Sequence, residues 1–301
     1  MWPIILGVGS ALCFGVQIAL TGAAARRTSV EDTLWVQTTF VLVTAIVWAA
    51  GTQSTVPSTH AVVVLLVAGI AAPLIARTLF IYSITKLGSN VATPIVLSHP
   101  VVTVLLASTL LSEQLDGLGW VAVGMTLSGG LLVVTRPKVI SQVGSRQDIS
   151  PAFLALAVIS AVASGSSLFL RKVGMNLGVS PGLAAFFTSI PAWLVYTGWL
   201  VVHHPSTFKG WQRFSSLELL GSGVAGSFGM VLWYTGIDVA QLSVFAPLGA
   251  LIPVFALLVN FFLYREQETF SLPVVCGTFL SMAGAGLIAY SSQSIFGSLE
   301  E

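Results

Sequence analysis

Arg77 and His99 are the residues of this chain best equipped for chemistry, because each stands in a long run that is otherwise apolar and uncharged. A guanidinium offers a planar fork of donors that fits a carboxylate or a phosphate through two parallel bonds. At the centre of a membrane helix it costs roughly 2.5–3.5 kcal/mol on insertion scales, so it must meet water, a headgroup or a ligand. Arg77 precedes Lys86 by nine residues, roughly 13 Å along a helix, so its stem could instead snorkel to that surface. The imidazole of His99 titrates in the physiological range and is the candidate carrier of a coupling proton. Its alternative is a bond to a neighbouring helix. Gln17, Tyr82, Trp233 and Tyr234 complete the substrate-binding candidates, the aromatics either walling a cavity or packing a core.

Other chemistries are missing from the pattern. His203-His204 has no nearby acid, and the chain has no nucleophile elbow, phosphate loop or zinc-protease signature. Cys13 and Cys276 sit in apolar runs without metal-ligand spacing, so no cofactor or metal is expected. Lys and Arg are scattered and the net charge is +1, which speaks against a nucleic-acid partner. The sequence therefore predicts no enzyme.

The elements that must position these residues are membrane spans. Only 8% of the 301 residues are charged, about a third of the share in a soluble chain. Charge-free apolar runs near the length of about 20 residues that a bilayer core requires recur throughout. Ten spans are expected, at 3–23, 33–50, 61–85, 90–111, 118–135, 151–171, 181–202, 217–239, 242–264 and 270–291. They form an all-α integral membrane fold, since lipid offers no partner for loose backbone. The run at the N-terminus lacks a charged leader and is read as a retained first span.

The two halves match. Pro94, Pro100, Glu113, Gly124 and Ser128 recur 153 residues later as Pro247, Pro253, Glu266, Gly277 and Ser281. Tyr82 and Tyr234 are 152 apart, and Ser10-Ala11 with Gly15 recurs 150 later as Ser160-Ala161 with Gly165. Five spans per unit turn the second copy over, so the repeats are inverted, which suits alternating access. The expected division is 1–135, a connecting loop 136–150, a second repeat 151–291 and a polar tail 292–301. The paired prolines each free a helix carbonyl and, with Glu113 and Glu266, are assigned to hinges and gates. Polar groups present in one half only, such as Arg77 (opposite Gly229) and His99 (opposite Ile252), better explain an asymmetric substrate.

The order Leu79-Phe-Ile-Tyr82, Lys86-Leu-Gly88, Ala92-Thr-Pro94, Pro100 and Leu111-Ser-Glu113, repeated as Trp233-Tyr234, Phe245-Ala-Pro247, Pro253 and Arg265-Glu266, resembles the EamA domain of the drug/metabolite transporter superfamily. That resemblance covers nearly the whole chain. It implies a secondary transporter, exporting or exchanging a small polar metabolite such as an amino acid across the plasma membrane by alternating access. The alternative is a carrier of lipid or hydrophobic drug on the same fold, and a membrane-embedded enzyme is the remoter one. Small multidrug relatives couple protons through an acidic residue in the first span, and 3–23 contains none. The expected partners are the small-molecule substrate, the lipid bilayer and a coupling proton, with the chain a monomer or homodimer. Nine Lys and Arg fall in loops after odd-numbered spans, which puts both termini outside by the positive-inside rule, whereas relatives often have them inside.

Overall fold

The computed structural model describes residues 2–24, 28, 30–52, 56–87, 95–96, 98–113, 115–134, 151–203, 216–263 and 272–297. Their regular structure is helical throughout. The first half comprises α1 (Trp2–Ala24), α2 (Val30–Gly51), α3, α4 (His99–Leu110) and α5 (Gly117–Val134). In α3, the helices Thr59–Gly69 and Ala76–Leu87 are joined by a π-helical Ile70–Ile75. The second half comprises α6 (Pro151–Asn176), α7 (Pro181–His203), α8 (Leu217–Val239), α9 and α10 (Leu272–Gly297). In α9, a turn of helix at Leu242–Phe245 passes through a 3-10 stretch, Ala246–Leu251, into Ile252–Leu263.

The inversion of the repeats is visible where equivalent helices meet. On α5 and α10, Gly129 lies against Gly277 and Ser281, while Gly284 lies against Thr126 and Ala122. Position rises on one helix as it falls on the other, so the pair is antiparallel. On α2 and α7, the Trp35 indole donates to Thr197 (3.0 Å) and the Trp193 indole donates to Thr39 (3.1 Å). Both residues of that reciprocal clasp are 158 apart from their counterparts. Equivalent helices of parallel repeats would run side by side in the same direction, so these repeats are inverted. The chain is an all-α integral membrane protein of ten helices in two inverted five-helix repeats.

The halves interdigitate. Helix α1 packs on α8 and α9, and α6 correspondingly packs on α3 and α4. The close points repeat: a Cβ on Gly15 would stand 2.6 Å from Cβ of Phe255, and one on Gly165 would stand 2.7 Å from Cβ of Val102. Phe255 and Val102 are 153 apart, so one backbone-to-backbone contact is made twice, and only glycine permits it.

Three expectations are revised, one of them the polar tail expected from 292, into which α10 continues as far as Gly297. The third span is not continuous: Ala72 is extended (φ −155°, ψ 129°) ahead of Pro73, because a proline within a helix removes an N–H and crowds the preceding turn. The sixth span does not stop at Arg171; the helix runs on to Asn176, since both cations there find carbonyls inside the protein. Among the prolines, Pro100 occupies the first turn of its helix, where a missing N–H costs little. Pro247 lies in the first turn of the 3-10 stretch of α9, and Pro253 in the first turn of the helix that follows. Pro94 and Glu266 lie outside the described residues.

Gly165→Ala should lower the thermal midpoint of the purified protein, by the equivalent of about 1–3 kcal/mol, because its methyl would meet the His99 carbonyl at 2.6 Å. Gly198→Ala, which faces open space, should not. Equal midpoints for the two variants would contradict the packing described.

Candidate functional site

Two polar clusters lie inside the bundle, one on each side of the break in α3. The first is centred on Gln37 of α2, which is only 2% exposed. Its Nε2 donates to Thr21 Oγ1 (2.7 Å) and to Ser222 Oγ (3.1 Å). Both hydroxyls give their own protons away, Thr21 to the Gln17 carbonyl (2.6 Å) and Ser222 to the Leu219 carbonyl (2.7 Å). They can therefore only accept from Gln37, which fixes the direction of its amide. The Gln37 Oε1 then faces α3 and accepts from Arg77 Nη2 at 2.9 Å.

Arg77 is thus turned toward α2. Among the described residues its one hydrogen bond is to the neutral Gln37, and no carboxylate pairs with it. A guanidinium has five N–H donors, so most of its capacity is unspent. Beside it, the Tyr196 hydroxyl of α7 donates to the Pro73 carbonyl at 3.4 Å.

The second cluster is built on α6. Ser167 Oγ donates to the carbonyls of Ala68 (2.7 Å) and Ala72 (3.0 Å), and Arg171 Nη2 donates to the Ala72 carbonyl at 2.7 Å. These bonds satisfy carbonyls that the break in α3 leaves free. The Arg171 guanidinium lies 5.4 Å from the centre of the Tyr234 ring, a cation–π distance, and the Tyr234 hydroxyl bonds Thr188 of α7. Arg171 Nε and His99 Nδ1 are buried without a hydrogen-bond partner among the described residues.

The clusters occupy equivalent places in the two halves. Gln17 and Thr21 on α1 are each 150 residues before Ser167 and Arg171 on α6. The inverted scaffold therefore presents the same two helical positions to both sides of the core and fills them with different chemistry.

The other sequence candidates separate. Trp233 is buried and packs edge-on to Phe14 (6.2 Å between centroids) and tilted against Phe245 (4.8 Å), so it belongs to the core of the helix crossing. Tyr82 is half exposed and meets Phe153 of α6 at 6.5 Å, away from Tyr234. The two tyrosines therefore stand apart, and of the two readings of the aromatics, packing is the one these contacts describe. Glu113 lies at the end of the bundle, accepting from the Leu242 and Ser243 amides at the start of α9 (2.8 and 2.7 Å).

Sequence reasoning passed over Gln37, Arg171 and Pro73. Gln37 is a lone amide whose counterpart, 158 residues on, is Val195. The single-copy criterion that selected Arg77 would have selected it once the register of α2 was known.

An apolar pocket of about 280 Å³ opens between α1, α9 and α10, lined by Ile4, Val8, Leu251, Phe255, Met282 and Gly286 among others. No polar side chain of the two clusters reaches it.

Comparison with known proteins agrees with this architecture. The model of the EamA-like transporter family matches the chain twice, at residues 1–135 and 152–290. A crystal structure of a protein at 16% identity superposes with a TM-score of 0.74, covering 97% of this chain and 98% of that one. It shows a shared fold. No curated protein matches in sequence.

Tyr234→Phe removes the hydroxyl that bonds Thr188, while Thr188 keeps its own bonds to the Ala184 and Ala185 carbonyls. It should cost about 1 kcal/mol, read as a lowered thermal midpoint, and Tyr82→Phe should cost less. The reverse order would place the load-carrying tyrosine on α3.

Proposed function

Because the chain belongs to the EamA-like transporter family, and is a multi-pass membrane protein of that family's two-repeat form, we propose that it moves a small carboxylate-bearing metabolite, an amino acid foremost, by alternating access. One observation carries this reading: the Arg77 guanidinium is turned into the bundle, held by a neutral amide and paired with no carboxylate among the described residues. A cation so placed attracts an anionic group, and its fork suits a carboxylate. Gln37 presets the orientation of the fork before the substrate arrives, which lowers the ordering cost of binding. Export or exchange across the plasma membrane completes the reading and rests on the family's habit.

The apolar pocket between α1, α9 and α10 favours a second reading, a carrier of lipid or hydrophobic drug. It is lined almost wholly by hydrocarbon, as a site for an acyl chain would be.

A thermal-shift screen of amino acids, organic phosphates, nucleotide sugars and hydrophobic cations on the purified protein separates the two. We expect carboxylates to stabilise it. Arg77→Leu should then nearly abolish binding, and Arg77→Lys should weaken it by about tenfold or more, because a point charge loses the fork. Undiminished affinity in Arg77→Leu would remove Arg77 from the site.

His99 is the proposed carrier of the coupling proton. His99→Ala should abolish flux driven by a pH gradient in proteoliposomes while substrate still binds. Unchanged pH-driven flux would return His99 to helix packing.

A further inference from the structure

The bonds that hold Gln37 do more than aim it at Arg77. Both protons of its amide nitrogen are spent, one on Thr21 Oγ1 and one on Ser222 Oγ. Neither hydroxyl has a proton to return, because Thr21 donates to the Gln17 carbonyl and Ser222 to the Leu219 carbonyl. A flipped amide would set its nitrogen against the Arg77 guanidinium, donor against donor. Gln37 therefore shows α3 an acceptor and nothing else. Its Oε1 has two lone pairs, and Arg77 Nη2 takes one at 2.9 Å. Among the described residues no donor takes the other.

The result is a donor and an acceptor side by side. Nη2 keeps a second N–H for an incoming oxygen, and 2.9 Å away Oε1 keeps a place for an incoming N–H or O–H. The complement of that pair is a carboxylate oxygen with a donor on the adjacent carbon. In a 2-amino acid the ammonium nitrogen and the nearer carboxylate oxygen are roughly 2.7 Å apart by their bond lengths. The two pairs are thus matched in spacing and opposite in polarity. A 2-hydroxy acid offers the same pair with a neutral donor, and a carboxylate with only hydrogen at that carbon offers the oxygen alone. Gln37 is buried while Arg77 is part-buried, so a ligand meets the pair from the Arg77 side. There a bond from an ammonium is about twice as strong as one between neutral groups.

We propose that Gln37 selects carboxylates that bear a hydrogen-bond donor on the adjacent carbon, an ammonium before a hydroxyl, over those that bear none. The inference rests on the carboxylate reading of Arg77 above. It adds a selection at that carbon and the residue that makes it. Arg77 draws the carboxylate, Gln37 reads its neighbour, and Thr21 and Ser222 keep Gln37 from turning.

The test measures binding to the purified full chain with probes that differ only at that carbon: leucine, 2-hydroxy-4-methylpentanoate and 4-methylpentanoate. Phenylalanine, 3-phenyllactate and 3-phenylpropionate form a second set, so that the outcome does not hang on one side chain. The unaltered protein should bind the amino acid about tenfold or more tighter than the analogue without a donor, with the hydroxy acid between them. Gln37→Met keeps the length of the side chain and leaves Arg77 in place but removes the acceptor, and it should bring the three probes of a set level. Gln37→Glu sets a fixed carboxylate against Arg77. It should abolish binding of every probe while the thermal midpoint holds, which shows that this variant folds. Equal affinities within a set for the unaltered protein, or an undiminished preference in Gln37→Met, would overturn the role of Gln37 and leave the Arg77 reading standing. Carboxylate binding that survives in Gln37→Glu would overturn it too. If no probe binds the unaltered protein, the carboxylate reading itself fails, and this selection with it.

Discussion

A bilayer offers no hydrogen bonds, so each polar group that leaves a helical ladder inside this protein must be met by a side chain from another helix. That constraint governs the interior. Two of the described places where the helical ladder is interrupted are Ile70–Ile75 in α3 and the turn between α8 and α9. Ser167 and Arg171 meet the carbonyls of the first, and Lys172 and Glu113 meet the two ends of the second. Three of those four side chains belong to α6, which makes α6 the strut against which both irregular segments are fixed. Two of the three described intramembrane cations are thereby occupied with the protein's own backbone. Arg77 is the one whose donors are largely left over, and the functional reading grows from that difference.

The duplicated scaffold and the single-copy residues divide the work. Glycines at 15 and 165, and the reciprocal Trp–Thr bonds of α2 and α7, recur because both halves need the same close crossings. Chemistry enters where the copies disagree: Arg77 against Gly229, Gln37 against Val195, Arg171 against Thr21, Lys172 against Gly22. On the proposed alternating-access reading, the symmetric scaffold supplies two interconvertible forms, and these unmatched residues are what distinguishes the halves.

The architecture was legible in the sequence because apolar runs and repeated prolines and glycines survive as spacing. Offsets of 150, 152 and 153 keep their register through four of the five helix pairs. The fifth, α2 with α7, has an offset of 158, and the changed loop length on either side hid both the Trp–Thr clasp and the singularity of Gln37. Charge misled the reading of α6. Arg171 and Lys172 look like the end of a span, because an unpaired cation would be expelled from lipid; carbonyls released by breaks elsewhere keep them inside. Such breaks are tertiary facts, and Pro73, lacking a partner in the second half, gave the only local sign of one. Tyr82 and Tyr234 are equivalent by position, yet Tyr234 is buried beside Arg171 and Thr188 while Tyr82 is half exposed against Phe153.

The most direct test of a carboxylate site at Arg77 is a structure of the protein with the strongest stabilising ligand bound. The account predicts ligand oxygens within hydrogen-bond reach of the Arg77 guanidinium, with Gln37 still bonded to it and the apolar pocket between α1, α9 and α10 free of ligand. A ligand seated in that apolar pocket, with the Arg77–Gln37 pair untouched, would contradict it.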